Sequence, residues 1–346
     1  MGTRAGSILR RLAALAVPVS CLLGSFAGVV APRPPAFELR ALGVLGGDTD
    51  ANLSCFVLGR PGTTELVMID AGSIMPGLTR WLENERLLAA GATPSEQARA
   101  ALDVFGRLRG VFVTHSHLDH WGGLVDASTL PLALALRGRP SLPIFGLPEP
   151  IAALREHLFR SPLWADFTAI PAQNPALALH PIGEVHAGGF HVRAIRVNHT
   201  VAGAAFLIRS GDAAYLHFGD TAATQEAWDA ARSLLASGAL RAIALEMSFP
   251  ASQESLAETS GHLTRSSFLL ELARLAGVSS TLRARTMSDA EAVALAKQLA
   301  PAFRDCPVFV IHVKALGYDE VKREVEALQQ AGLNLILPEQ GRGYRF

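Results

Sequence analysis

Three imidazoles and a carboxylate are packed into the run Thr114-His115-Ser116-His117-Leu118-Asp119-His120. The apolar stretch GVFV leads directly into it, and such a run reads as a buried strand. Residues two apart at a strand end point the same way, so His115 and His117 can reach one metal ion. The turn that follows can swing Asp119 and His120 towards a second. Imidazole and carboxylate donors suit zinc or a similar divalent ion, and a site that leaves positions open for water is catalytic, not structural.

Four donors do not complete two metal centres, so later parts of the chain must supply more. His199 in RVNHT and Asp220 in HFGDT each close a predicted strand, and His312 in FVIHVK lies in or at the end of a third. A carboxylate following the tight Gly219 suits a position between two ions. Each of these is an ordinary strand-end residue when taken alone; together they are what the first motif demands. Asp70, closing ELVMID, reads as a support for a ligand histidine instead of a ligand. The remaining histidines, His157, His180, His186, His191 and His217, read as surface or rim residues. His217 stands three positions before Asp220 and points to the opposite face of its strand.

The elements that must position these groups follow a strand-first pattern. Strands are expected over 37–44, 55–60, 65–70 and 109–115, with a helical stretch over 78–108 broken near Gly91–Pro94. Residues 128–182 carry many prolines and read as loops and short helices over the rim of a site. A second strand group is expected at 190–199, 203–210, 213–220 and 241–248, followed by strands at 307–313 and 333–341. Helices are expected at 223–236, 264–277, 288–300 and 318–331. Two strand groups with helices on their flanks fit a layered α/β sandwich better than a barrel.

THSHLDH, with Gly122-Gly123 just beyond it, resembles the metallo-β-lactamase superfamily. The segments HSHLDHWGGLVDAS, HFGDT, LEMSFP, GHLT, IHVK and the terminal EQGRGYRF narrow the likeness. They look like the class II cyclic-nucleotide phosphodiesterases, in the same order across almost all of residues 37–346. Two departures stand out: Trp121 where the class II pattern is aliphatic, and Asp126 in a stretch that is normally apolar. The resemblance implies a four-layer αββα sandwich of two mixed sheets flanked by helices, holding two divalent ions, expected to be zinc. It implies His115, His117 and His199 on one ion and Asp119, His120 and His312 on the other, with Asp220 bridging. His262 of GHLT matches the position that protonates the leaving oxygen in the ribonuclease Z branch, with Glu246 of LEMS orienting it. The implied reaction is hydrolysis of 3′,5′-cyclic AMP or cyclic GMP to the 5′-monophosphate by a metal-bridged hydroxide, with Asp119 helping to orient the attacking oxygen. Hydrolysis of another small ester or lactam, or a ribonuclease Z-like nuclease activity, are the alternatives on the same scaffold.

Composition bounds the partners. The chain of 346 residues holds 31 basic and 31 acidic side chains and is 49% hydrophobic, enough for a full core. Arg4, Arg10 and Arg11 precede an uncharged stretch from Leu12 to Ala31, and Ser25 and Ala27 form a small-residue exit before Gly28. That order is expected of an export signal over 1–27, cleaved ahead of a spacer at 28–36 and a catalytic domain at 37–346. The mature protein is then periplasmic, with no stable membrane association; an anchor through 12–31 is the alternative. Removing the leader's arginines leaves a mildly acidic chain, which argues against polymeric nucleic acid and for a small cyclic nucleotide as partner. A homodimer is compatible with the sequence. Cys55 and Cys306, the thiols left after cleavage, either pair or stay buried and free.

Overall fold

Alternation of side chains along short strands builds two sheets that face one another. The computed structural model describes residues 33–47, 49–160, 162, 164–278 and 286–346; the predicted export signal and residues 28–32 of the spacer lie outside the described residues. Residues 35–346 form one unit. Its first sheet runs Gly343–Arg345, Glu38–Gly43, Cys55–Gly59, Leu66–Ile69, Leu108–Phe112, Leu142–Gly146, Leu177–Pro181 from edge to edge. The second runs Leu335–Ile336, Val308–Ile311, Leu240–Glu246, Ala213–Phe218, Gly203–Ser210, Phe190–Val197, Glu184–Ala187. Both are mixed: Leu66–Ile69 through Leu177–Pro181 are parallel, as are Ala213–Phe218 through Leu335–Ile336, and the rest pair antiparallel.

The period of two decides which layer each residue joins. Phe56, Ile69, Phe112, Phe206, Tyr215 and Phe309 point inward and form the core between the sheets. Their neighbours Val57, Met68 and Val111 point outward, onto Trp81, Val104 and Phe105 of the helices Ile74–Asn84 and Pro94–Phe105. Leu216, Ile243 and Val310 do the same on the second sheet, against Trp228, Phe268, Leu299 and Val325. Helix, sheet, sheet, helix is the expected four-layer sandwich. Among the described residues, no helix is long and apolar enough to cross a membrane.

The predicted helical stretch 78–108 resolves into two helices. The second starts at a reciprocal cap, in which the Thr93 hydroxyl accepts from the Glu96 N–H and the Glu96 carboxylate accepts from the Thr93 N–H. The break lies where it was expected, between Asn84 and Pro94, and the correction concerns 128–182. Besides short helices, this region contributes Leu142–Gly146 and Leu177–Pro181 to the first sheet, with Leu142–Gly146 as an interior strand. Pro143 and Pro181 obscured both, because proline removes a ladder donor and normally argues against an interior strand. The short edge strands Glu184–Ala187 and Gly343–Arg345 were also unforeseen. Cys55 and Cys306 are both buried and free, each in a different outer core.

Candidate metal centre

Strand direction gathers the site. Leu66–Ile69, Leu108–Phe112, Ala213–Phe218, Leu240–Glu246 and Val308–Ile311 deliver Asp70, the His115–His120 segment, Asp220, Glu246 and His312 at or just past their C-terminal ends. Phe190–Val197 is antiparallel to Gly203–Ser210, which is antiparallel to Ala213–Phe218, so it runs with the latter and places His199 at the same rim. Two positions are held in left-handed backbone, Asp70 at φ 53° and His312 at φ 59°, where non-glycine residues are uncommon. Gly219 is required by close approach: a Cβ there would collide with the Thr114 side chain.

The donor atoms fall into overlapping groups. Among the described residues, His115, His117, His199 and Asp220 have donors within 4.8 Å of one another, as do Asp119, His120 and His312. The resemblance to the class II family implies the same two groupings. Asp220 joins them with different oxygens. Its Oδ2 lies 3.6 Å from His115 Nε2 and 3.8 Å from His199 Nε2. Its Oδ1 lies 3.2 Å from His120 Nε2 and 3.1 Å from His312 Nε2. His117 Nδ1 is 3.2 Å from His199 Nε2, and Asp119 Oδ2 is 3.1 Å from His312 Nε2.

Hydrogen bonds on the far side of each ring fix the tautomers. The Thr114 hydroxyl donates to Asp70 Oδ2 at 2.9 Å, so its oxygen can only accept from His115 Nδ1 at 3.1 Å. His120 Nδ1 donates to the same Asp70 oxygen at 2.7 Å, and His199 Nδ1 donates to the Gly261 carbonyl at 2.9 Å. On the second sheet the Ser248 hydroxyl donates to Glu246 Oε2 and accepts from His312 Nδ1 at 3.0 Å. With Nδ1 committed in this way, each of these four rings turns Nε2 to the cluster, the atom that in the neutral ring carries the lone pair that ligates a metal. For His115, His120 and His312 one carboxylate and one hydroxyl from each sheet fix the ring, and for His199 a backbone carbonyl does so. Asp70 in that supporting position was anticipated; Thr114 and Ser248 were missed, and no spacing signal marks a lone hydroxyl beside a ligand.

The fit to metal rests on orphaned atoms. His115 Nε2, His120 Nε2 and Asp220 Oδ1 are buried and lack a hydrogen-bond partner, since their close approaches lack hydrogen-bonding geometry. Buried polar atoms left so are costly unless something coordinates them. Burial lowers the pKa of His115 well below the imidazole range. Burial acts the same way on His120, but Asp220 and Asp70 outweigh it and raise that ring well above the range. The donor set of imidazole nitrogens and carboxylate oxygens suits a divalent ion such as zinc.

His262 lies beside these two sets and forms a third group of donors within 4.8 Å of one another, with Asp220 and His312. It follows Gly261, which ends the helix Glu254–Ser260 in left-handed conformation at φ 73°. Its Nδ1 donates to Glu246 Oε1 at 2.8 Å, and its Nε2 lies 3.9 Å from Asp220 Oδ2. Burial opposes protonation, yet Glu246 overrides it and raises the His262 pKa. Glu246 in turn is buried and accepts the Thr221, Ser248 and Leu263 N–H groups at 2.8, 3.2 and 3.1 Å. Such a ring has its proton directed at the metal-side space.

Of the other histidines, His157, His180 and His186 are exposed and His191 is half-buried, paired with Glu184. His217 is a correction. It does point away from the Asp220 cluster, but into the core between the sheets, where it is fully buried and pairs Nδ1 with the Tyr215 hydroxyl at 2.7 Å. A core between two sheets leaves no solvent face for an inward side chain. Trp121 is half-buried, packs on the outer core and donates Nε1–H to the Ser116 carbonyl at 2.9 Å, bracing the ligand loop; Asp126 is exposed.

Residues 83–331 match the family model described as cAMP phosphodiesterases class-II. A probable 3′,5′-cyclic-nucleotide phosphodiesterase of Yersinia pestis is 25% identical over 345 residues, covering 90% of this chain and 90% of that protein. The crystal structure of unliganded yeast PDE1 superposes with a TM-score of 0.67 at 20% identity, covering 90% of this chain and 99% of that one. The metallo-β-lactamase fold protein YhfI of Bacillus subtilis gives 0.55 at 16% identity, covering 91% and 100%. The sandwich is thus a metallo-β-lactamase fold.

Proposed function

The chain belongs to the class-II cAMP phosphodiesterases, a family of hydrolases, and from that premise we propose that it converts 3′,5′-cyclic AMP and cyclic GMP to nucleoside 5′-monophosphates. The observation that carries the reading is Asp220, whose two oxygens each face a different donor set, with the Nε2 of His262 beside them. We assign His115, His117 and His199 to one divalent ion, Asp119, His120 and His312 to the other, Asp220 to both, and zinc as the metal. When bound, such a pair of ions supplies Lewis-acid activation of water and of the phosphodiester.

The protein's own groups do the rest. Asp119 orients the attacking oxygen towards phosphorus, opposite O3′, and the proton released from the water passes to solvent. The P–O3′ bond breaks as the new P–O bond forms, and O3′ takes the proton from His262 Nε2. Glu246 keeps that proton available by holding Nδ1–H, a general-acid arrangement suited to neutral pH. The water's proton restores His262 through solvent, so atoms and charge balance. The uncharged leader with its basic head supports export to the periplasm; finding the intact leader on cytoplasmic protein would remove that part of the reading.

The test is turnover of cyclic AMP and cyclic GMP by zinc-reconstituted protein, with the product identified and metal assayed on the same sample. Chelator-sensitive formation of the 5′-nucleotide supports the assignment. Two bound metals without turnover of either nucleotide would sink the substrate while leaving the centre.

A further inference from the structure

The site opens on one side. His115, His120, Asp220 and His312 are buried, whereas the Asp119 side chain is 16% exposed and its neighbour Leu118 is 65% exposed. On that side stands Lys314, two residues past His312, with its side chain 17% exposed. Leu316, two residues further on, is 95% exposed, so this segment turns to solvent directly after Lys314.

The backbone of Lys314 is held firmly. Its N–H donates to the Ser248 carbonyl at 3.0 Å, and Val313–Lys314 pairs in parallel with Leu45–Gly46. The side chain extends over Gly47, where an added Cβ would meet Nζ at 3.0 Å. Nζ ends 3.9 Å from Asp119 Oδ2, inside ion-pair range but too far for a hydrogen bond. Asp119 Oδ2 already accepts the Gly47 N–H at 3.0 Å, and His312 Nε2 lies 3.1 Å from it. Among the described residues, Lys314 is the only lysine or arginine within 4.0 Å of the Asp119 or Asp220 carboxylates, and its ammonium donates no hydrogen bond to them.

Resting on the proposed function, we infer that Lys314 binds the phosphoryl oxygens of the substrate at the mouth of the metal centre. A lysine that served only to neutralise Asp119 would close to hydrogen-bond distance. Among the described residues nothing accepts a hydrogen bond from the Lys314 ammonium, so these N–H donors at the open rim are instead placed for an incoming anion. Lysine suits this as a compact point charge on a flexible stem.

The experiment uses zinc-loaded protein and inorganic phosphate as the probe, measured by calorimetry, beside metal content and steady-state kinetics on cyclic AMP. Lys314→Met is expected to weaken phosphate binding and raise KM roughly 10- to 100-fold, the scale of one charge-assisted contact, with metal content unchanged. Lys314→Arg restores most of the phosphate affinity. Unchanged phosphate binding in Lys314→Met overturns the inference, and so does loss of metal, which would make Lys314 a support for Asp119. Phosphate binding that depends on Lys314 in a protein without cyclic-nucleotide turnover would retain an anion contact and discard the substrate reading alone.

Discussion

Asp220 Oδ1 lies 3.1 Å from His312 Nε2, with its other oxygen turned to the opposite donor set. Among the described residues Asp220 is the carboxylate that joins two of the three donor groups, one with His115, His117 and His199 and one with His262 and His312. Asp220→Ala is therefore expected to weaken both metal positions, where loss of His312 weakens one. The loss of affinity should exceed the roughly 10- to 100-fold typical of removing an outer partner of a ligand. Metal stoichiometry after dialysis against a graded chelator measures it. Retention of two ions by Asp220→Ala would remove the bridging role.

Thr114 connects Asp70 to His115 through a single hydroxyl, and Thr114→Val keeps the shape while deleting that oxygen. His115 Nδ1 then becomes a buried donor without an acceptor, a loss of about 1–3 kcal/mol in stability. Metal affinity should fall roughly 10- to 100-fold as the ring loses its preferred tautomer. Denaturant unfolding and chelator competition read the two effects separately. A variant as tight and as stable as the parent would show that Asp70 alone orients this side of the site.

The candidate donors could be picked out because their type and place reinforce one another, and the fold brings them together. His115, His117, Asp119 and His120 form a dense run, and His199, Asp220 and His312 each stop a strand of apolar residues. Asp70 and Glu246 were legible as supports for a similar reason. Thr114 and Ser248 were not, since a hydroxyl becomes specific only when two sheets bring a carboxylate and a ring to either side of it. Leu142–Gly146 was hidden by Pro143, whose missing donor makes a strand look like a loop. His217 escaped because strand alternation tells that it opposes Asp220, but not that a second sheet covers that face.

That burial makes His217 an acid-labile point. Burial depresses its pKa to about 3, from an ordinary 6.5. Below pH 6.5 the unfolded chain takes up a proton that the folded chain refuses, so stability falls as pH drops through the window from 6.5 towards 3. Between pH 6.5 and 5 this one group costs about 2 kcal/mol. His217→Leu combined with Tyr215→Phe, which removes the hydroxyl left behind, should flatten that part of the stability profile. Urea unfolding at the two pH values decides it: equal acid losses in parent and double variant would exclude His217 as a cause.

Glu246 and His262 make the sharpest test of the proposed chemistry. Glu246 raises the pKa of His262 against the pull of burial, so the acid form persists above the ordinary imidazole range. The rate should then hold at neutral pH and fall as pH rises through that raised value, because only the protonated ring can supply O3′. Glu246→Gln removes the stronger of the two carboxylates that oppose burial and leaves Asp220 alone against it, so the alkaline limb of kcat/KM should move to lower pH. His262→Ala should lose roughly 10²- to 10⁴-fold in rate, together with that limb, while both metals stay bound. A Glu246→Gln profile that overlays the parent, or a His262→Ala enzyme of normal rate, would take the proton donor away from His262 and leave it as packing beside the metal ligands.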